Sequence, residues 1–210
     1  MKTAIICNGN VTDYDYCLNI IKSADYIICA DGGTRHAYKM GLHPDLILGD
    51  FDSSDNEYLE HYKNLGIKME RYPKDKDKTD SHLCILKALD FSYEIILIGA
   101  TGSRLDHTMA NISLLKLGLD KGVDIYIADS QNEIYLINKS ITIKGKPGEL
   151  FSLLPISQSV EGICVYGAKY ELNEAVMEIG DPYGTSNLFK KENVNIKIRS
   201  GYLLVIKSKD

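Results

Sequence analysis

The sequence predicts an α/β protein in two parts: an N-terminal three-layer domain on a mainly parallel sheet, residues 1–129, and a C-terminal all-β sandwich, residues 130–210. Two patterns carry that division. As far as residue 129, short apolar runs alternate with amphipathic stretches, the rhythm of a sheet whose crossovers are helices. Beyond it, period-two alternation replaces the helical period. Gly145, Pro147, Gly148, Pro155, Gly162, Gly167, Gly180, Pro182 and Gly184 then punctuate the chain at turn-like intervals.

Taken in order, the short runs 4–7, 26–30, 46–49, 67–72, 95–98 and 123–128 read as strands. The segments 12–23, 33–40, 55–65, 80–89 and 106–119 between them read as helices. In 80–89, Leu83, Leu86 and Leu89 are the expected buried face, and Thr79 or Asp80 is an N-cap, a metal ligand or both. Around 106–119, Leu105, Met109 and Ile112 fall at helical spacing, and Leu115 and Leu119 widen the stripe that should pack on the sheet. In the second part, 133–143 alternates like a strand. Residues 194–207 read as two strands joined in a hairpin at Ser200-Gly201.

Composition narrows the function. An apolar fraction of 44% with 25% charged residues is that of a soluble globular chain. A net charge of −5 provides no basic stripe for nucleic acid. The first apolar run is too short for a signal-peptide core, and no run reaches the length of a membrane span. Five cysteines, an odd number without regular spacing, make neither a disulfide framework nor a zinc site, which suits a reducing cytoplasmic setting.

The chemistry lies where apolar runs end in acids. Asp31 ends the second run, Asp50 and Asp52 end the third, Asp77 and Asp80 follow the fourth, and Asp106 follows the fifth. In an open parallel sheet, ligands bind beyond the carboxyl ends of the strands. Carboxylates gathered at one edge repel each other unless cations sit among them. Asp50 and Asp52 flank Phe51, so a strand-like backbone would point both acids to one side. Such hard oxygen ligands suit Mg²⁺ bridging to a phosphate compound.

The glycines of Asp31-Gly32-Gly33 and of Gly99-Ala-Thr-Gly102 let a ligand approach backbone amides, with Arg104 placed for an anionic oxygen. Neither a GxGxxG fingerprint nor a P-loop is present. Plainer readings stand beside each piece. Asp50-Phe-Asp52 also reads as a turn, Arg104 and Asp106 as a surface ion pair, His107 as the partner of a nearby carboxylate, and 183–187 as an ordinary turn. A strand ending in Asp-Phe-Asp also fits a phosphohydrolase with Asp50 as nucleophile.

Cys29-Ala-Asp-Gly-Gly33, Leu48-Gly-Asp-Phe-Asp-Ser53, Lys76-Asp-Lys-Thr-Asp80, Gly99-Ala-Thr-Gly-Ser-Arg-Leu-Asp-His107 and Gly184-Thr-Ser-Asn187, in this order, resemble bacterial thiamine pyrophosphokinase. The resemblance spans nearly the whole chain. It implies a homodimer that transfers a pyrophosphoryl group from ATP to the hydroxyl of thiamine, giving thiamine diphosphate and AMP. By the same resemblance Asp50, Asp52 and Asp80 are the expected Mg²⁺ ligands, and one of them or Asp77 the residue that orients or deprotonates thiamine. Arg104 would contact the polyphosphate and Thr79, Thr101, Gly102 and Ser103 would bind substrate, while Asp106 and His107 shape the loop. Asp31, Gly32 and Gly33 would line the substrate cleft. Ser186 and Asn187 would lie near thiamine across a dimer interface. The chain departs from the family's usual pattern at Leu188, where an acidic residue is common, and it has no Trp to stack on the thiamine cation.

Overall fold

The computed structural model describes residues 1–52, 54–73, 77–181 and 183–209. Ser53, Lys76 and Pro182, which belong to motifs or turns read from the sequence, lie outside them. The chain forms two compact units, Met1–Ser130 and Gln131–Asp210.

The first unit runs β1 (Lys2–Ile6), α1 (Tyr14–Ile21), β2 (Tyr26–Ala30), a 3-10 turn (Asp31–Gly33), α2 (Thr34–Lys39), β3 (Leu46–Gly49), α3 (Asn56–Asn64), β4 (Lys68–Arg71), α4 (Asp80–Leu89), β5 (Glu94–Ile98), α5 (Leu105–Lys121) and β6 (Asp124–Ala128). Its strands lie in the order β6-β5-β1-β2-β3-β4 and pair in parallel. Both faces are covered. Ala4, Ile6, Cys29, Ile47, Ile96 and Ile98 bury one face with Cys17, Ile21, Ala37 and Tyr62 of the helices. The alternate residues Ile5, Ile28, Leu46, Leu48, Ile95 and Leu97 are just as buried, and α4 packs against β1, β2 and β3. This is why these strands read as unbroken apolar runs and not as alternating ones.

Two helical faces differ from expectation. On α4 the fully buried residues are Cys84, Ile85 and Ala88, while Leu83, Leu86 and Leu89 are half-buried at the sides. On α5 the buried line is Asn111, Leu115 and Gly118, and Leu105 and Met109 are 69% and 51% exposed. A polar residue occupies the inner line because Asn111 Nδ2 donates to the Ala100 carbonyl at 2.7 Å. Hydropathy alone assigns that position to the wrong face.

The second unit contains β7 (Asn132–Ile137), β8 (Ser140–Lys144), β9 (Leu150–Pro155), β10 (Ser159–Tyr166), β11 (Leu172–Glu178), β12 (Asn187–Leu188), β13 (Asn193–Lys197) and β14 (Leu203–Ser208). Among the described residues these form two antiparallel layers, β12-β9-β14-β7 and β11-β10-β13-β8. Ile137, Phe151, Leu153, Leu203 and Val205 of one layer meet Ile143, Val160, Ile163, Val165, Met177, Val194 and Ile196 of the other in one core. Phe151 and Phe189 pack edge to face at 5.3 Å, an arrangement worth about 0.5–1.5 kcal/mol beyond the area it buries.

The hairpin expected at Ser200-Gly201 does not form. β13 pairs with β10 and β8, whereas β14 pairs with β7 and β9, so the chain changes layer there. The corner is made by an isolated bridge between Glu161 and Ser200 and by Gly201 at φ +94°. Sequence alternation shows two strands and a turn, but not which neighbours each strand chooses.

Candidate active site

Strand order locates the site. The chain passes from β1 outward through β2, β3 and β4, then returns to the other side of β1 to form β5 and β6. The chain therefore leaves β1 and β5 in opposite directions along the sheet, and the switch point between them is where open α/β sheets hold their ligands. A cleft of about 620 Å³ opens there. Its walls come from Cys7–Asn10 after β1, Asp31 and Arg35 after β2, Asp50 after β3, Lys78–Ser81 at the start of α4, and Gly99–Arg104 with His107, Thr108 and Asn111 around the start of α5.

The β1 and β5 loops are stitched together by backbone. Gly9 N donates to the Gly99 carbonyl and Asn10 N to the Thr101 carbonyl, both at 2.7 Å. A Cβ on Gly9 would lie 2.2 Å from the Thr101 oxygen, so only glycine permits that approach. Thr101 Oγ1 donates to Asp129 at 2.8 Å and fixes the β5 side.

Asp31, Asp50 and Asp52 gather at the ends of β2 and β3, with one carboxylate oxygen from each within 4.8 Å of the others. The geometry is not that of a continued strand. β3 stops at Gly49, Phe51 takes φ +65°, and Asp52 N donates to Asp50 Oδ1 at 3.0 Å. A tight left-handed turn, and not pleat alternation, brings the two acids together while Phe51 packs inward on the core. Asp31 is also left-handed, at φ +43°, and accepts from Ser54 Oγ at 2.8 Å. Gly49 makes room for it, since a Cβ there would sit 2.7 Å from Asp31 Cβ. Two non-glycine residues held in this region at one spot mark a place where the fold accepts strain. Three clustered carboxylates are a hard-oxygen donor set of the kind divalent cations take.

The other expected residues are placed as follows. Thr79, Asp80, Thr101, Gly102, Ser103, Arg104 and His107 line the cleft; Gly32, Gly33, Asp52, Asp77 and Asp106 do not. Asp80 is outside the close carboxylate group, and Asp31, expected only as a cleft residue, is in it. Thr79 caps α4 by accepting from His82 N at 3.3 Å. Arg104 Nη2 meets Asp106 Oδ2 at 2.5 Å, and both side chains are more than 60% exposed. The guanidinium holds the Asp106 carboxyl down to about 2. Ser186 is exposed at φ +59°; Asn187 is buried, with its amide engaged by both backbone groups of Tyr170.

Several cleft residues escaped the sequence reading: Asn8, Asn10, Arg35, Thr108 and Asn111. Asn8 and Asn10 follow β1 directly, so the strand-end rule applied to the first strand finds them. Arg35 and Asn111 carry no local signal. Cys7 also lines the cleft, where burial pushes its thiol up to about 11 and leaves it inert at neutral pH.

Residues 17–127 match the family model described as thiamin pyrophosphokinase, catalytic domain, and residues 138–203 match its vitamin B1 binding domain. The chain belongs to the thiamine pyrophosphokinase family. It is 30% identical over 186 residues to thiamine pyrophosphokinase of Bacillus subtilis, with 87% of each chain covered. It is 29% identical over 209 residues to thiamine pyrophosphokinase 1 of Arabidopsis thaliana, covering 87% of this chain and 78% of that one. The crystal structure of the Bacillus subtilis enzyme superposes with a TM-score of 0.90 at 25% identity over the full length of both chains. That of the Geobacillus thermodenitrificans enzyme gives 0.87 at 27% identity, over 100% of this chain and 98% of that one. Thiamine pyrophosphokinases are ATP-dependent transferases, and the parallel sheet and antiparallel sandwich found here are their architecture.

Proposed function

We propose that this protein makes thiamine diphosphate and AMP from thiamine and ATP with Mg²⁺ held by the carboxylates at the ends of β2 and β3. The observation that carries the reading is the close group of Asp31, Asp50 and Asp52 beside a switch-point cleft. Mg²⁺ bound there supplies charge neutralisation for the transferring phosphates. Attack by the thiamine hydroxyl forms an oxygen bond to the β-phosphorus and breaks the bond from that phosphorus to the α–β bridging oxygen. The hydroxyl proton goes to Asp80, preferred to Asp77 because Asp80 lines the cleft. Ser103 and Arg104 offer donors to the polyphosphate on the turn that Thr101 and Gly102 form, and Asp106 and His107 hold that loop. In the second unit Ser186 faces solvent and is the better candidate for thiamine contact, with Asn187 ordering its turn. The match of residues 138–203 to a vitamin B1 binding domain supports that assignment. The family resemblance supports a homodimer, and five buried free cysteines suit the reducing cytoplasm. No helix among the described residues is long and apolar enough to cross a membrane.

The deciding experiment incubates the purified protein with thiamine, ATP and Mg²⁺ and separates the products. Thiamine diphosphate with equimolar AMP is expected. Thiamine monophosphate with ADP would replace the reaction by single phosphoryl transfer. Free phosphate without a thiamine product would favour hydrolysis through Asp50.

A further inference from the structure

We propose that Arg35 contacts the polyphosphate of the nucleotide, as a cation held on the cleft wall by neutral groups alone. The inference rests on the ATP-dependent reading above and adds a residue to it. Arg35 lines the cleft and is half-buried. Its Nη2 donates to the Asn8 carbonyl at 2.9 Å and to the Gly9 carbonyl at 3.0 Å, and its Nε approaches His36 Nε2 at 3.2 Å. No carboxylate among the described residues pairs with it.

Arg104 is held differently. That guanidinium is forked onto Asp106, which spends much of its charge, and it is largely exposed. Arg35 has a rigid mount and no direct ion pair among the described residues, in a cleft whose other wall residues include Asp31, Asp50 and Asp80. A guanidinium fixed in this way has paid its ordering cost in advance and keeps donors for an anionic oxygen.

The mount is itself braced. His36 is buried, with its Nδ1 hydrogen-bonded to Tyr14 Oη at 2.9 Å; its Nε2 either accepts from Arg35 Nε or, in the other tautomer, donates to the Gly9 carbonyl at 2.9 Å, and so braces either Arg35 or the carbonyl on which Arg35 rests. Burial keeps the imidazole neutral at pH 7, so it adds no second charge and takes none away from Arg35. Tyr14 and His36 are positioning residues behind a binding residue.

The test uses the full chain and the Arg35→Gln variant, which keeps an N–H donor for the loop carbonyls but loses the charge. Inorganic pyrophosphate, ATP with Mg²⁺, and adenosine are titrated separately by calorimetry. Losing a charge-assisted contact should weaken pyrophosphate and ATP by about ten- to hundredfold while adenosine binding stays within twofold. The KM for ATP should rise and that for thiamine should not, with Arg35→Lys recovering part of the loss. Unchanged pyrophosphate and ATP binding in folded Arg35→Gln would overturn the assignment. So would equal weakening of adenosine, ATP and thiamine, the mark of a loop staple. If Arg35→Gln does not fold, Arg35→Lys decides on the same ratio of pyrophosphate to adenosine affinity. A wild-type protein that binds pyrophosphate through Arg35 yet makes no thiamine product would overturn the reaction and leave this assignment standing.

Discussion

At the scale of single residues, the carboxylate group ties stability to a bound cation. Three carboxylates with oxygens within 4.8 Å form one donor set, so a divalent cation should bind the folded chain and not the unfolded one. Mg²⁺ should therefore raise the wild-type Tm, read by thermal melting, and leave that of Asp52→Asn nearly unchanged. Asp52→Ala should lose turnover by about two orders of magnitude or more while keeping its fold, since a metal supplies several kcal/mol of charge stabilisation. A folded Asp52→Ala protein of normal activity would remove Asp52 from the metal site. His36 gives a separate test through pH. Burial lowers its pKa from the ordinary 6.5 to about 4, so the folded chain holds it neutral while the unfolded chain takes up a proton below pH 6.5. Its contribution to stability is present above that pH and is lost as the pH falls from 6.5 towards 4. The Tm of His36→Gln should fall less steeply than wild type between pH 7 and pH 4.5, and parallel slopes would contradict the buried neutral imidazole. Residues of this kind divide by legibility. Asp-Phe-Asp at the end of an apolar run shows in the sequence. The left-handed Phe51 that turns its acids together does not, because backbone handedness leaves no trace in hydropathy.

At the scale of elements, the ends of helices couple folding to chemistry. Thr79 caps α4 and lines the cleft one residue before Asp80. Thr79→Ala should cost about 1 kcal/mol in denaturant unfolding, and Thr79→Ser should restore it. Activity that falls in the alanine variant and returns in the serine variant would tie the cap to the placement of Asp80. The periods of the strands and the existence of the helices were readable, as β2, β3 and α4 show at the level of single residues. The faces of α4 and α5 were not. Asn111 holds an inner position through one hydrogen bond to a loop carbonyl, and such a bond is invisible until the loop is in place. The partners of β13 and β14 escaped for a related reason. A turn at Ser200-Gly201 is a local signal, whereas the choice of layer depends on strands made dozens of residues earlier.

At the scale of the whole molecule, the proposed homodimer predicts a solution mass of twice the 23.5 kDa of one chain. Light scattering behind a sizing column measures it, and a monomer that retains turnover would contradict it. The order in which the sandwich is synthesised has a further result. β14 lies between β9 and β7, so these two earlier strands have no shared edge until residues 203–208 exist. A nascent chain on the ribosome thus carries a half-built layer with two strands waiting for the one between them. Strand edges left open in that way are sticky. During translation, the sandwich core is the part of this protein that should depend most on chaperones.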